Sequence, residues 1–234
     1  MFAGPNGSGK STILNQIDSQ YDIGYYINAD LIEQKLKSSG RIDLSDYGIA
    51  KINENSFNGF VKSHTITSKA GNDGYTLDIK LKRGKTIISN TENFSYEASL
   101  ISDFLRKTLV KTGKKITFET VMSHISKVDF LKETQERGYK NYLYYISTES
   151  PLINIERVKQ RVGLGGHFVP ESKIKSRYFN SLKLLKKAVK YTYRTFVFDN
   201  SEKEAKLILE IYKGEEVFYK YSEIPKWVDD YLLI

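Results

Sequence analysis

Apolar residues fall into two rhythms along this chain, and the alternation between them outlines its architecture. Residues 10–20 carry a helical pattern, and Tyr25-Tyr26-Ile27-Asn28 is a short β-rich run. Leu31, Ile32 and Leu36 then share one face of a predicted helix from Leu31 to Lys37. A longer helix is predicted from Ser95 to Thr112, with Leu100, Ile101, Phe104, Leu105 and Leu109 on one face and Gly113 as its stop. Strand Lys115 to Glu119, helix Ile125 to Arg137 and strand Asn141 to Ile146 follow. Pro151 opens a further helix, which is broken at Gly163-Leu164-Gly165-Gly166-His167-Phe168-Val169-Pro170. A long helix after Pro170, a strand from Thr195 to Phe198, a helix from Glu202 to Ile211 and a strand near Val217 to Tyr219 complete the pattern. Trp227 and 232–234 are expected to pack the tail onto the body.

Strands alternating with helices predict an α/β fold whose parallel sheet is covered by helices on both faces. One stretch interrupts that rhythm. Residues 40–60 are polar and poorly periodic, whereas Tyr75-Thr76-Leu77-Asp78-Ile79-Lys80-Leu81 alternates strictly. Gly71 to Gly74 and Arg83-Gly84-Lys85 supply turns. Residues 60–90 are therefore expected to form a small antiparallel β insertion, with His64 as an exposed strand residue. The rest of 1–234 reads as one domain, with a mobile lid over 155–178.

The first nine residues of interest carry the chemistry. Gly4-Pro5-Asn6-Gly7-Ser8-Gly9-Lys10-Ser11-Thr12 fits the P-loop pattern of Gly, four residues, Gly, Lys and Ser or Thr. Gly4, Gly7 and Gly9 allow successive backbone N–H groups to converge on phosphate oxygens. Lys10 supplies a point charge for the β- and γ-phosphates, and the Ser11 hydroxyl is a ligand for Mg²⁺. The helix starting near Lys10 turns its positive end to the same anion. This predicts a site for ATP or GTP with Mg²⁺. Only Met1, Phe2 and Ala3 precede the motif, where a strand of about five or six residues is usual. The chain is expected either to begin upstream or to have a truncated first strand.

Ligands in open α/β sheets bind at the carboxyl edge of the strands. The P-loop, Asp30, Glu119 and Asn200 are all predicted to lie on that edge. Asp30 stands where a strand runs into a helix, so it is either an N-cap or a carboxylate on the ligand side, and the two readings are compatible. Glu119 ends an apolar strand, as does the acid that holds Mg²⁺ or its water in P-loop proteins.

Composition narrows the classes further. A hydrophobic share of 40% suits a globular protein, and no run approaches the roughly 18 apolar residues of a membrane span. The absence of cysteine excludes disulfide and thiolate chemistry, and with no signal peptide in view a cytoplasmic location is expected. The net charge is +8, and eight cations without an acid lie between Ser172 and Phe198. They are Lys173, Lys175, Arg177, Lys183, Lys186, Lys187, Lys190 and Arg194. Such a stretch is a solvated helix face, a partner for nucleotide phosphates or a nucleic-acid surface.

Together the residues resemble the zeta toxin family of P-loop kinases, in the branch described as predicted ATPases. The likeness rests on Ala3 to Thr12, Asn28-Ala29-Asp30, Phe118-Glu119-Thr120 and Arg157-Val158-Lys159-Gln160-Arg161-Val162. Gly165-Gly166-His167-Phe168-Val169-Pro170, Arg177-Tyr178 and Phe198-Asp199-Asn200-Ser201 extend it. It covers most of 1–50 and 95–205. The resemblance implies a three-layer P-loop kinase fold and transfer of the ATP γ-phosphoryl group to a small-molecule hydroxyl, with a sugar nucleotide such as UDP-N-acetylglucosamine as acceptor. It implies that Asp30 is the general base and that Arg157, Arg161 and Arg177 are lid arginines. It places Glu119 and Thr120 at the substrate or the Mg²⁺ shell, Asn200 and Ser201 around adenine, and His167 in a structural role. Asp103, on the helix before Glu119, is the alternative base and a substrate-side residue. An antitoxin protein joins the partners to be considered. The insertion departs from the family pattern where part of the sugar-nucleotide site is built. A nucleic-acid-directed kinase or ATPase is the competing reading. An ABC-type ATPase lacks its Leu-Ser-Gly-Gly-Gln signature here.

Overall fold

The computed structural model of the chain describes residues 1–91, 94–166 and 168–233. In chain order, strand β1 (Phe2–Ala3) leads through the P-loop into helix α1 (Lys10–Asp18). Strand β2 (Tyr25–Ile27), helix α2 (Ala29–Ser39) and strand β3 (Arg41–Asp43) come next. Helices α3 (Glu54–Ser63) and α4 (Thr65–Asn72) precede strands β4 (Ile79–Lys82) and β5 (Thr86–Ser89) and helix α5 (Ser95–Lys111). Strand β6 (Ile116–Thr120), helix α6 (Ser126–Glu136), strand β7 (Tyr142–Ser147) and helices α7 (Pro151–Gly163) and α8 (Glu171–Val189) follow. Strands β8 (Arg194–Asp199), β9 (Lys206–Tyr212) and β10 (Glu216–Tyr219) lead to a short helical tail.

These elements divide into two compact units, Met1–Tyr21 with Glu119–Ile234 and Asp22–Phe118. In the first unit, β1 runs parallel to β7, with Phe2 opposite Tyr144, and parallel to the end of β6, with Phe2 opposite Glu119. Strand β8 extends the parallel order beside β7, and β9 and β10 add an antiparallel edge. The chain's apolar runs explain the order. Leu143, Tyr145 and Ile146 of β7 are fully buried, as a parallel central strand requires. Helix α8 contributes buried Ile174, Tyr178, Leu182 and Leu185. The rings of Phe2, Tyr144 and Phe196 stack in a row, with centroids 4.6 and 4.9 Å apart.

In the second unit, β2 pairs in parallel with the start of β6, and Ile27 lies opposite Phe118. Ile32 and Leu36 of α2 are buried, as are Leu100, Ile101 and Leu105 of the adjoining α5. The antiparallel sheet has the order β3-β5-β4, with Ile87 facing both Ile42 and Leu81. The expected small antiparallel sheet is therefore present, but its composition differs from the expectation. Residues 60–63 and 65–72 are helical, and β3 comes from the polar stretch before them.

Capping decides that correction. The Asn53 side chain accepts from Ser56 N–H to start α3, and His64 Nδ1 accepts from Ile66 N–H to start α4, both at 3.1 Å. Thr65-Ile66-Thr67 is β-branched throughout, which favours a strand, yet tertiary packing of Phe57 and Ala70 outweighs that preference. His64 is accordingly a mostly buried cap residue and not an exposed strand residue. A second correction concerns 202–211, predicted as a helix. Residues 206–212 are strand β9, held to β10 by a turn in which Lys213 and Gly214 both take positive φ (50° and 76°).

Among the described residues, no helix is long and apolar enough to cross a membrane.

Candidate active site

The P-loop leaves β1 at Gly4, whose φ is 142°. A Cβ there would stand 1.9 Å from the Ile146 carbonyl oxygen, so strand β7 itself demands glycine. Gly9 caps α1 in the left-handed region (φ 93°), and a Cβ would meet Asn200 Nδ2 at 2.2 Å. Helix α1 then begins at Lys10 and turns its N-terminal amides toward the loop. Lys10 Nζ donates to the carbonyls of Gly4 and Pro5 at 2.9 and 2.8 Å.

Three neighbouring segments brace this loop. Asn154, fully buried on α7, donates from Nδ2 to the Asn6 carbonyl at 2.7 Å and accepts from Thr148 Oγ1 at 2.5 Å. Asn200 Nδ2 donates to the Ser8 carbonyl at 2.9 Å. Ser11 Oγ donates to Glu119 Oε2 at 2.9 Å. Strand pairing explains the last contact, because β6 lies beside β1 and delivers Glu119 to the first turn of α1.

The stretch after β8 is organised by Asp199. Its Oδ1 accepts from Ser201 N–H at 2.9 Å, and its Oδ2 accepts from Ser201 Oγ at 3.0 Å and from Trp227 Nε1 at 2.6 Å. Ser201 Oγ in turn accepts from Glu149 N–H at 2.8 Å. Arg157 clamps the same stretch. Its guanidinium donates to the carbonyls of Asn200 at 2.7 Å, Glu202 at 3.1 Å and Ser201 at 3.5 Å. A cleft of ≈ 530 Å³ opens beside these groups, lined by Gly7, Gly9, Thr12, Gln16, Arg157 and Asn200 and closed by 203–205.

Within the first unit, the structure thus brings together the P-loop, Glu119, Arg157 and Asn200. Thr120 continues this edge; its carbonyl accepts from Gly4 N–H at 3.2 Å, and its hydroxyl accepts from Met122 N–H at 3.1 Å. Asn200 lines the cleft, with its side chain engaged with the P-loop, and the Ser201 side chain is engaged with Asp199. Arg161 is exposed one turn beyond Arg157, and Arg177 is half-buried on α8. The segment between α7 and α8 is spanned by an apolar cluster of Ile155, Val158, Val169 and Ile174. Lys159 Nζ and Glu171 Oε1 add an ion pair at 2.9 Å, and this partner raises the lysine pKa. The Tyr178 hydroxyl donates to the Thr148 carbonyl at 2.6 Å, and burial pushes its pKa up. His167 lies outside the described residues.

The second unit holds the two acids named as bases. Asp30 sits in the first turn of α2 with an exposed carboxylate, and the N-cap is Asn28, whose Oδ1 accepts from the N–H groups of Asp30 (2.8 Å) and Leu31 (3.3 Å). The N-cap reading of Asp30 is thereby corrected. Asp103 is an ion-paired carboxylate. It accepts from Arg106 at 2.6 Å, from Lys107 at 3.2 Å and from His64 Nε2 at 3.1 Å. With His64 Nδ1 accepting from Ile66, the Nε2–H tautomer donates to Asp103.

Sequence reasoning missed Asn154 and Thr148, and it named Asp199 and Trp227 without their role in holding the 199–201 turn. Asp199-Asn200-Ser201 carries a readable signal, because an Asp two residues before a Ser favours an Asx turn. Asn154 gives none, since a polar residue on a helix usually faces water.

The residues fit the ligand that the motif predicts. A hydroxyl and a carboxylate are hard oxygen donors of the kind Mg²⁺ takes, and they lie at the helix N-terminus beside a lysine ammonium. Asn6 Oδ1 and Ser8 Oγ are buried polar atoms without a hydrogen-bond partner inside the same loop. Among the described residues, no group of three or more His, Cys, Asp or Glu could hold a metal, so Mg²⁺ here would share its shell with phosphate and water.

Comparison with known families matches residues 80–210 to the family described as zeta toxin. That match contains Glu119, Arg157, Arg161, Arg177 and Asn200; the P-loop and Asp30 lie outside it. Over 60 residues the chain is 38% identical to a protein of Haemophilus influenzae described as uncharacterized, covering 26% of this chain and 43% of that one. Its fold is similar to the crystal structure of AvrRxo1-ORF1:-ORF2 with ATP, at a TM-score of 0.53 and 16% identity over 94% of this chain. The chain spans 60% of that structure's length. A structure of the PezAT chromosomal toxin-antitoxin system of Streptococcus pneumoniae matches 99% of this chain and 77% of its own, at 10% identity and a TM-score of 0.52. At these identities the likeness speaks for the fold alone.

Proposed function

Because this chain belongs to the zeta toxin family of P-loop kinases, we propose that it transfers the γ-phosphoryl group of ATP to a hydroxyl of a small molecule, with a sugar nucleotide such as UDP-N-acetylglucosamine as the acceptor class. The observation that carries this reading is the 2.9 Å contact between Ser11 and Glu119 beside the P-loop lysine. It joins a phosphate cradle to an acid at the end of the neighbouring strand. Bound Mg²⁺ would neutralise phosphate charge, held by the Ser11 hydroxyl and, directly or through water, by Glu119.

The remaining work falls to the chain's own residues. Lys10 exchanges its contacts with the Gly4 and Pro5 carbonyls for phosphate oxygens, and the α1 amides add partial positive charge. Arg157 and Asn200 fix the wall of the nucleotide cleft. Asp30 is the base: it takes the acceptor hydroxyl proton as that oxygen bonds to the γ-phosphorus, and the bond to the bridging oxygen breaks to release ADP. Arg161 and Arg177 act on the transferred charge from a lid over 155–178. The reading also includes a cytoplasmic setting and an antitoxin protein as partner.

The test is incubation with labelled ATP, Mg²⁺ and a panel of sugar nucleotides, nucleosides and RNA ends, with Lys10→Ala as control. Label on a sugar nucleotide, lost in the control, supports the proposal. Label on RNA ends alone replaces it with the nucleic-acid reading, and ATP hydrolysis without any acceptor makes the chain an ATPase.

A further inference from the structure

We propose that the outer edge of β10 is an interface at which two copies of this chain pair their β10 strands antiparallel. The strand is the last in its sheet, after β9, and all four of its residues are exposed. Val217, Phe218 and Tyr219 are 37%, 45% and 61% accessible. An edge strand with three large apolar residues is of the kind that proteins otherwise shorten, charge or cover.

Backbone direction fixes which groups the edge presents. Lys220 N–H donates inward to the Ile208 carbonyl at 2.9 Å, and the pairing of Phe218 with Glu210 and Glu216 with Tyr212 continues that register. Inward hydrogen-bonded positions alternate along an antiparallel strand. Residues 216, 218 and 220 therefore face β9, and Val217 and Tyr219 offer their N–H and C=O groups to the open side.

A second copy fits this edge in one register. Pairing Val217 with Tyr219 of the second copy, and the reverse, makes both couples hydrogen-bonded pairs about a twofold axis at Phe218. The same register sets Phe218 opposite itself and Glu216 opposite Lys220 of the second copy, twice. Those are non-hydrogen-bonded positions, where side chains come closest. Lys220 already contacts Glu210 Oε2 at 3.2 Å, so it would lie between two carboxylates. This self-complementary order of Glu216, three apolar residues and Lys220 selects a second copy over an unrelated strand.

Sedimentation equilibrium of the full chain over a wide concentration range tests the interface. The expected result is a reversible monomer–dimer equilibrium. Glu216→Lys and Lys220→Glu should each weaken it about ten-fold or more, since each sets like charges opposite one another twice. Mixing the two variants should restore association, because every cross-chain pair is again attractive. Val217→Pro removes an outward N–H without touching the β9 ladder and should abolish the dimer with native circular dichroism. A chain that is monomeric throughout, or charge variants that dimerise as the parent does and gain nothing on mixing, would overturn the proposal. Binding of an unrelated strand without self-association would overturn it equally.

Discussion

Ser11 Oγ donates to Glu119 Oε2 at 2.9 Å, although 108 positions separate the two residues in sequence. Strand β6, lying parallel to β1, is what makes them neighbours. Exchanging Glu119→Gln keeps an oxygen that can accept from Ser11 and removes only the charge. ATP affinity is expected to fall about ten-fold in the presence of Mg²⁺ and to stay unchanged without the metal. Titration calorimetry in both conditions checks this; an equal loss without Mg²⁺ would assign Glu119 to packing instead.

Arg157 donates to three successive carbonyls, of residues 200 to 202. Arg157→Ala is therefore expected to weaken ATP binding as well as transfer, at a cost of roughly 1.5–3 kcal/mol. Arg157→Lys should restore little, because an ammonium cannot reproduce the planar fork. Dissociation constants and single-turnover rates, measured side by side, decide between this brace and a purely catalytic role. Unchanged affinity in both variants would refute it.

Asp30 follows its cap, Asn28, into the first turn of α2. Asp30→Asn leaves that cap intact and should alter the melting temperature little. In the proposed role of general base, Asp30 is expected to contribute about 10²–10⁴ in transfer rate with ATP affinity kept. A variant with near-parental transfer would move the base elsewhere, and the ion pairs around Asp103 make it a poor successor.

Glu97 is buried on α5 with Oε2 lacking a partner, and burial raises its pKa. A carboxylate raised in the fold contributes stability below its unfolded pKa of about 4 and loses it as pH rises through the folded value. At neutral pH the ionised group therefore costs stability. Glu97→Gln should raise the melting temperature at pH 7, and the gap should close near pH 4. Thermal melts at the two pH values test the sign.

The P-loop was legible because each of its residues has a separate task, and helix α5 because five apolar residues repeat on one face. The strand order of the first unit was less so. Lys206 to Tyr212 has apolar residues at 207, 208, 209 and 211, a run compatible with either period, and only the Lys213-Gly214 turn marks it as half of a hairpin. In 60–74 the caps were the missing signal: a histidine is a rare cap, so His64 did not announce α4. For the site, Glu119 was visible as a strand-end acid, whereas the engagement of Arg157 with carbonyls depends on where 200–202 folds back, which no local pattern encodes. Asn154 is invisible for the same reason.

Trp227 is the chain's single tryptophan, is buried, and donates to the same Asp199 oxygen that holds Ser201, next to Asn200 of the cleft. The molecule thereby contains its own optical gauge. Indole emission responds to the charge and hydrogen bond at its nitrogen, so any ligand that shifts the 199–201 turn is registered some distance from the phosphates. A nucleotide that binds in the cleft is then expected to change the fluorescence of the unlabelled, unmodified chain, with Trp227→Phe as the dark control.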